Sequence, residues 1–289
     1  MPFERSASLP AGEALRAWYR PRRRRYAWRG SRDPYAVLVS EVMLQQTQAS
    51  RVEPIFRSFL ERYPTVVELA EATPADVLRA WGNLGYNRRA LRLHEAARIV
   101  VREHGGRVPA DPLVLRRLPG VGPYTATAVA AIAFGAPIAA VDVNVGRVVA
   151  RARLGVEPDE LARVVLLAEA DGWVDRADPS AWNQAVMDLG REVCRPAPRC
   201  GACPLAPACS FRAAGRAGRS SRTPQGAFEG SSRQARGAVV AALREEDALS
   251  AAELTRVTGL DGGRLAPALE GLVRDGVVQR VRTRYRLPI

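Results

Sequence analysis

The chain has 289 residues, 47% of them hydrophobic, which is enough for two or three compact units with real cores. No apolar run reaches membrane-spanning length, which excludes a transmembrane chain and makes a soluble, cytoplasmic monomer the expectation. The net charge of +13 calls for a polyanionic partner, nucleic acid first, although all 43 basic residues are Arg and a GC-rich genome also inflates Arg.

From residue 12 to about 212 the pattern is one of short helices with few strand signals. The run Arg22 to Arg25 fits a solvated basic face as well as a DNA contact. Apolar residues recur at helical spacing through Val37, Leu38, Val42, Leu44 and Val52, and again through Leu91, Ala96, Ala97 and Val100. Pro64, Pro74, Pro109 and Pro112 mark boundaries, and Thr73-Pro74-Ala75-Asp76 has the form of a helix start. A short helix is expected to end at Leu118, a tight turn to follow at Gly120-Val121-Gly122, and a small-residue helix to begin near Tyr124. Backbone amides exposed there would seat a phosphate; the alternative is an ordinary helix connection with a glycine C-cap.

All four cysteines fall between Cys194 and Cys209, as Cys194, Cys200, Cys203 and Cys209 in a C-x5-C-x2-C-x5-C pattern. Four thiolates can hold a cuboidal iron–sulfur cluster or a tetrahedral zinc. Two disulfides are the third alternative, disfavoured because no secretory segment opens the chain. One C-x2-C pair with short outer spacers and no nearby His favours the cluster over zinc. From Arg212 to Ser232 the composition turns to Gly, Ser and Arg, a linker. Beyond it, Gly237 to Leu243, Ala251 to Val257 and Leu265 to Val273 predict three helices, and Val277 to Leu287 alternates like a small hairpin. That order suggests a winged-helix-like module, with a packing or dimerisation domain as the alternative. The absence of Lys leaves no side-chain amine for a Schiff base.

Six segments in order carry a resemblance: Trp28-Arg29, Ser40-Glu-Val-Met-Leu-Gln-Gln-Thr47, Leu84-Gly-Tyr86, Leu118-Pro-Gly-Val-Gly-Pro-Tyr-Thr125, Val141-Asp-Val-Asn144 and the cysteine cluster. Over residues 12 to 212 the chain resembles the helix–hairpin–helix DNA glycosylases with an iron–sulfur loop, and most closely the MutY-type adenine DNA glycosylases. The resemblance implies an all-α fold. A helical barrel (28–135) would face a module holding a 4Fe-4S cluster (10–27 plus 136–212), followed by a linker (213–232) and a C-terminal module (233–289). It implies double-stranded DNA with mismatched or oxidised base pairs as the partner.

Residue roles follow at matched positions. Glu41 stands where the adenine branch has its general acid, and Asp142 where a carboxylate lies near the sugar. Tyr124 stands where lyase members such as endonuclease III have Lys. Asn144 would position a carboxylate or water. Gln45, Gln46 and Tyr86 match positions approaching the opened base pair, Arg29 a contact near the extruded base, and Gly120, Val121 and Gly122 the hairpin that meets DNA. The chemistry is coherent: adenine leaves once a ring nitrogen is protonated, and the sugar cation then needs a nearby negative charge. Asn87 is found in some thymine mismatch glycosylases where the adenine branch often has a second Tyr. About 57 residues follow the linker, and they do not read as the Nudix-like domain with which many adenine glycosylases read 8-oxoguanine. Two alternatives therefore stand: a thymine or uracil mismatch glycosylase, and a non-catalytic iron–sulfur DNA-binding regulator.

Overall fold

The computed structural model of the chain describes residues 8–23, 26–218 and 226–289. Arg24 and Arg25 of the basic run lie outside the described residues, as does part of the linker. The helices, in chain order, are α1 (Ser8–Tyr19), α2 (Pro34–Leu44), α3 (Ala49–Arg62), α4 (Val66–Glu71), α5 (Pro74–Ala80), α6 (Arg88–His104), α7 (Pro112–Leu115), α8 (Pro123–Phe134), α9 (Val143–Val149), α10 (Arg163–Trp173), α11 (Pro179–Glu192), α12 (Ser210–Ala213), α13 (Ser232–Glu245), α14 (Ala251–Thr258) and α15 (Gly262–Arg274). Three short strands, β1 (Leu249–Ser250), β2 (Gln279–Val281) and β3 (Arg284–Arg286), complete the set. No helix among the described residues is long and apolar enough to cross a membrane.

Boundaries follow local chemistry. Thr73 caps α5 by accepting from the Asp76 amide at 3.1 Å, with Pro74 in the first turn. The apolar run from Val37 to Val52 is two helices, broken where Gln46 takes a left-handed φ of 55°. The helix expected to end at Leu118 closes at Leu115, because the chain turns early toward the glycine hairpin. Contacts divide the chain into a unit of Met1–Glu41, Ala110–Arg117 and Val121–Thr223, and a unit of Val42–Pro109, Leu118–Gly120 and Pro224–Ile289.

In the first unit α11 is the central helix, packed on α1, α8 and α9. It buries Trp182, Val186 and Leu189 but also Asn183, Gln184 and Asp188. Asn183 satisfies the irregular segment before α9: its Oδ1 accepts from the Ala140 amide at 2.7 Å and its Nδ2 donates to the Ile138 carbonyl at 3.0 Å. Gly190 lets α9 touch α11, since a Cβ there would stand 2.7 Å from the Asn144 carbonyl oxygen. α9 runs into a π-helical turn at Ala150–Leu154 that turns Arg151 inward.

In the second unit α3 to α6 enclose an aromatic cluster of Phe59, Tyr63 and Trp81, with the Phe59 and Trp81 rings edge to face at 6.2 Å. His94 is buried in α6. The C-terminal module belongs to this unit. Its helices close over Val239, Val240, Leu243, Leu254, Leu265 and Leu272. Its strands pair antiparallel in the order β1-β3-β2, with Arg280 opposite Tyr285. The module runs helix, strand, two helices and two further strands. β1 joins that sheet through only two residues, too few for periodicity to register.

Candidate active site and cysteine loop

Five of the residues singled out in the sequence come together in the first unit. Glu41 lies on α2 and is buried, 4% exposed. The Tyr124 side chain, from the first turn of α8, hydrogen-bonds its carboxyl group. The Tyr124 hydroxyl also lies 3.5 Å from the Met187 sulfur. Burial raises the pKa of Glu41, the Asp142 charge adds to that rise, and Arg29 and the Tyr124 bond only partly offset it. Glu41 is thereby disposed to hold a proton.

Asp142 faces a different environment. It caps α9, its Oδ1 accepting from the amides of Asn144 at 2.9 Å and Val145 at 2.7 Å. Its Oδ2 accepts from Asn144 Nδ2 at 2.9 Å. Three donors therefore fix the orientation of its side chain at the start of α9. The Asp142 charge thus acts on Glu41, and the two carboxyl groups sit in different settings, one buried beside Tyr124 and Arg29 and the other in a ring of donors.

Arg29 is the cation of the pocket. Burial works against its charge, but Asp188 on α11 overrides that, accepting from Arg29 Nη2 at 2.7 Å with both side chains below 10% exposed. Behind it, Tyr19 donates to Gln184 Oε1 at 2.8 Å, and burial pushes the Tyr19 hydroxyl up to about 12. Asp188 and Gln184 were not singled out in the sequence. The available signal was weak: polar residues on the inner face of a helix look like a solvated stripe.

The remaining candidates lie around the hairpin and in the second unit. Val121 is buried and anchors its turn, whereas Gly122 is exposed at the start of α8. Gly120 takes φ 79°, and a Cβ there would meet the Arg92 side chain at 3.0 Å. Gln45 Nε2 donates to the Gly120 carbonyl at 3.3 Å. Gln46 and Tyr86 are exposed, and both hold left-handed backbone, at φ 55° and 47°. Arg89, another residue the sequence did not single out, ties these loops together. Its Nη1 donates to the carbonyls of Val42, Met43 and Gln45, its Nη2 to Thr47 Oγ1 and the Gly85 carbonyl, and its guanidinium lies 5.4 Å from the Tyr86 ring centre.

Cys194, Cys200, Cys203 and Cys209 line one cavity, with Arg151 and Phe211 in its wall. No disulfide joins them. Among the described residues no group of three or more His, Cys, Asp or Glu side chains is arranged to hold a single metal ion. Burial raises the Cys203 thiol to about 11, so binding any metal there would release protons. Arg151, 1% exposed, holds the loop. It pairs with Glu157 at 2.7 Å and donates to the carbonyls of Arg195 at 2.6 Å and Pro196 at 3.0 Å. Its Nη1 reaches Cys194 Sγ at 3.9 Å. Arg147 links this loop to the pocket, donating to the Cys194 carbonyl at 2.6 Å and to Asn144 Oδ1 at 2.9 Å.

Residues 39–165 match the family described as HhH-GPD superfamily base excision DNA repair protein. The chain is 42% identical to the adenine DNA glycosylase of Mycolicibacterium smegmatis over 275 residues, covering 92% of each. Among solved structures, a thermostable thymine-DNA glycosylase superposes with a TM-score of 0.64 at 32% identity, over 70% of this chain and 94% of that one. A trapped endonuclease III–DNA covalent intermediate superposes with a TM-score of 0.59 at 22% identity, over 73% and 99%, a likeness of fold.

Proposed function

Since this chain belongs to the adenine DNA glycosylase family within the HhH-GPD superfamily of base excision DNA repair proteins, we propose that its pocket works as follows. The protein excises adenine in base excision repair. Its substrate is duplex DNA of the nucleoid in which adenine lies opposite 8-oxoguanine or guanine, and it acts as a monomer. The observation that carries the reading is the pair of carboxyl groups, Glu41 buried beside Tyr124 and Arg29 and Asp142 in a ring of donors.

Extruded into the pocket, adenine meets the proton on Glu41. As the proton passes to a ring nitrogen, the glycosidic bond breaks and its electron pair leaves with the neutral base. Positive charge grows on the sugar, and the Asp142 carboxylate stabilises it. Tyr124 orients Glu41, and Asn144 fixes Asp142 through its Nδ2. A water then adds through its oxygen to the sugar carbon, its proton passing to the Glu41 carboxylate, and completes the abasic site. Arg29, held by Asp188, stays charged beside Glu41 and keeps the acid from rising so far that it cannot release its proton. Gln45, Gln46 and Tyr86 read the opened pair, and the hairpin from Gly120 to Gly122 takes a backbone phosphate.

The reading is tested with duplexes carrying A, T, U or C opposite G and 8-oxoguanine, scored for strand breaks after alkali. Cleavage confined to A opposite the purines supports it. Cleavage at T or U opposite G would transfer the protein to the mismatch branch, to which Asn87 points. The strand should stay intact until alkali is added, because β-elimination runs through an imine and position 124 carries Tyr in a chain without Lys. Strong borohydride trapping of protein on DNA, surviving a blocked N-terminus, would contradict this.

The four cysteines fit a 4Fe-4S cluster: the donor set is all thiol, and the four line one space. Bound there, the cluster would supply a structural tie for the basic loop around Arg195 and Arg199. The natively purified protein should be yellow-brown with about four irons per chain. Stoichiometric zinc without iron would overturn this assignment.

A further inference from the structure

The C-terminal module reaches the loop that carries Tyr86. Asn87 occupies the N-cap position of α6, yet its side chain caps nothing there. Its Oδ1 instead accepts from Arg244 Nη2 at 3.1 Å. Arg244 lies at the end of α13, where it also donates through Nε to the Leu78 carbonyl at 3.0 Å, and its own carbonyl accepts from Arg79 Nε at 3.2 Å. Two ion pairs flank this joint, Arg88 with Asp275 and Arg79 with Asp247, both at 3.4 Å. Arg88 and Asp247 are exposed, so these pairs contribute little. The half-buried Arg244 contact is the one with defined geometry.

Tyr86, one residue before Asn87, is exposed and left-handed. For a residue with a Cβ that conformation is strained, and it persists only where neighbours fix it from both sides. On the N-terminal side the Gly85 carbonyl accepts from Trp81 Nε1 at 3.1 Å and from Arg89 at 3.4 Å. On the C-terminal side the Asn87 side chain accepts from Arg244. Arg89 carries the same restraint on to Gln45 through its backbone oxygen.

We propose that Arg244 is a positioning residue for Tyr86, through which the C-terminal module sets discrimination of the base opposite the excised adenine. The inference rests on the reading of Tyr86 as a residue that approaches the opened pair. It gives the tail a role in lesion choice without a lesion-binding pocket of its own. A side chain displaced by a fraction of an ångström at an opened base pair changes the fit to one opposite base more than to another.

The test uses the full chain with Arg244→Met, which keeps the apolar stem and deletes the donors, Arg244→Lys, which keeps one donor, and Asn87→Leu. Single-turnover excision is measured for A opposite 8-oxoguanine, G and C, and hydrogen exchange for the peptide spanning 83–89. Arg244→Met should lower the ratio of rates for 8-oxoguanine over C about fivefold, on the scale of one hydrogen bond, and speed exchange in that peptide. Arg244→Lys should recover part of the ratio. The Arg244→Met, Asn87→Leu double variant should be no worse than either single one. Equal slowing against every opposite base, or unchanged exchange, overturns the proposal. Wild-type protein that releases no adenine overturns the glycosylase reading instead, while exchange still decides whether Arg244 holds the loop.

Discussion

Glu41→Gln is expected to slow single-turnover base excision by at least ~10²-fold while leaving duplex affinity nearly unchanged. The substitution keeps shape and removes a transferable proton, and Glu41 is too deeply enclosed to contact a phosphate. Near-normal excision by this variant would sink acid catalysis by Glu41. A second readout follows from the raised pKa, whose main cause is burial. A carboxyl group whose folded pKa lies above its unfolded value lends stability below the unfolded value and loses it as pH rises through the folded one. Gln does not titrate. The melting temperature of Glu41→Gln should therefore exceed that of wild type by a margin that widens with pH across that window. A margin independent of pH would mean that Glu41 is not held in the environment described.

Arg151→Met should be the most damaging substitution outside the pocket. It removes the cation paired with the buried Glu157 and frees the carbonyls of Arg195 and Pro196. Breaking a buried ion pair from one side costs about 3–5 kcal/mol, a large part of a domain's stability. The variant should purify with little iron and melt far below wild type, even though every cysteine is still present. Gly218 gives a reason for the sensitivity: a Cβ there would collide with the Pro196 carbonyl oxygen, so the loop has little room to settle elsewhere. Full iron content in Arg151→Met, measured by absorbance and metal analysis, would show that the loop does not depend on this side chain.

Much of this was legible because its signals are local. The cysteine spacing needs only neighbours in sequence, as do the Thr73 cap and the turn at Gly120. The periodicity beyond residue 233 predicts the three helices of the tail, although α13 begins five residues earlier than Gly237, at Ser232, where Ser231 caps it. What stayed hidden is long-range. Arg29 and Asp188 are 159 positions apart, and nothing near either one names the other. Asn183, Gln184 and Asp188 are spaced as a polar stripe is, and helical periodicity cannot tell a stripe facing water from one facing a buried network. The arginines pose the same problem. Among 43 of them, Arg89, Arg147, Arg151 and Arg244 spend their donors on backbone carbonyls, and no local pattern separates them from the solvated ones.

The left-handed backbone at Gln46 and Tyr86 has a consequence for anyone who would engineer this protein. Both conformations are ones that glycine or asparagine adopts more cheaply, and the unfolded chain does not share the cost. A library enriched only for heat resistance would drift toward glycine at two positions assigned to reading the base pair, and its winners would be sturdier and less discriminating. Rounds of laboratory evolution on this scaffold therefore have to score base choice at every cycle.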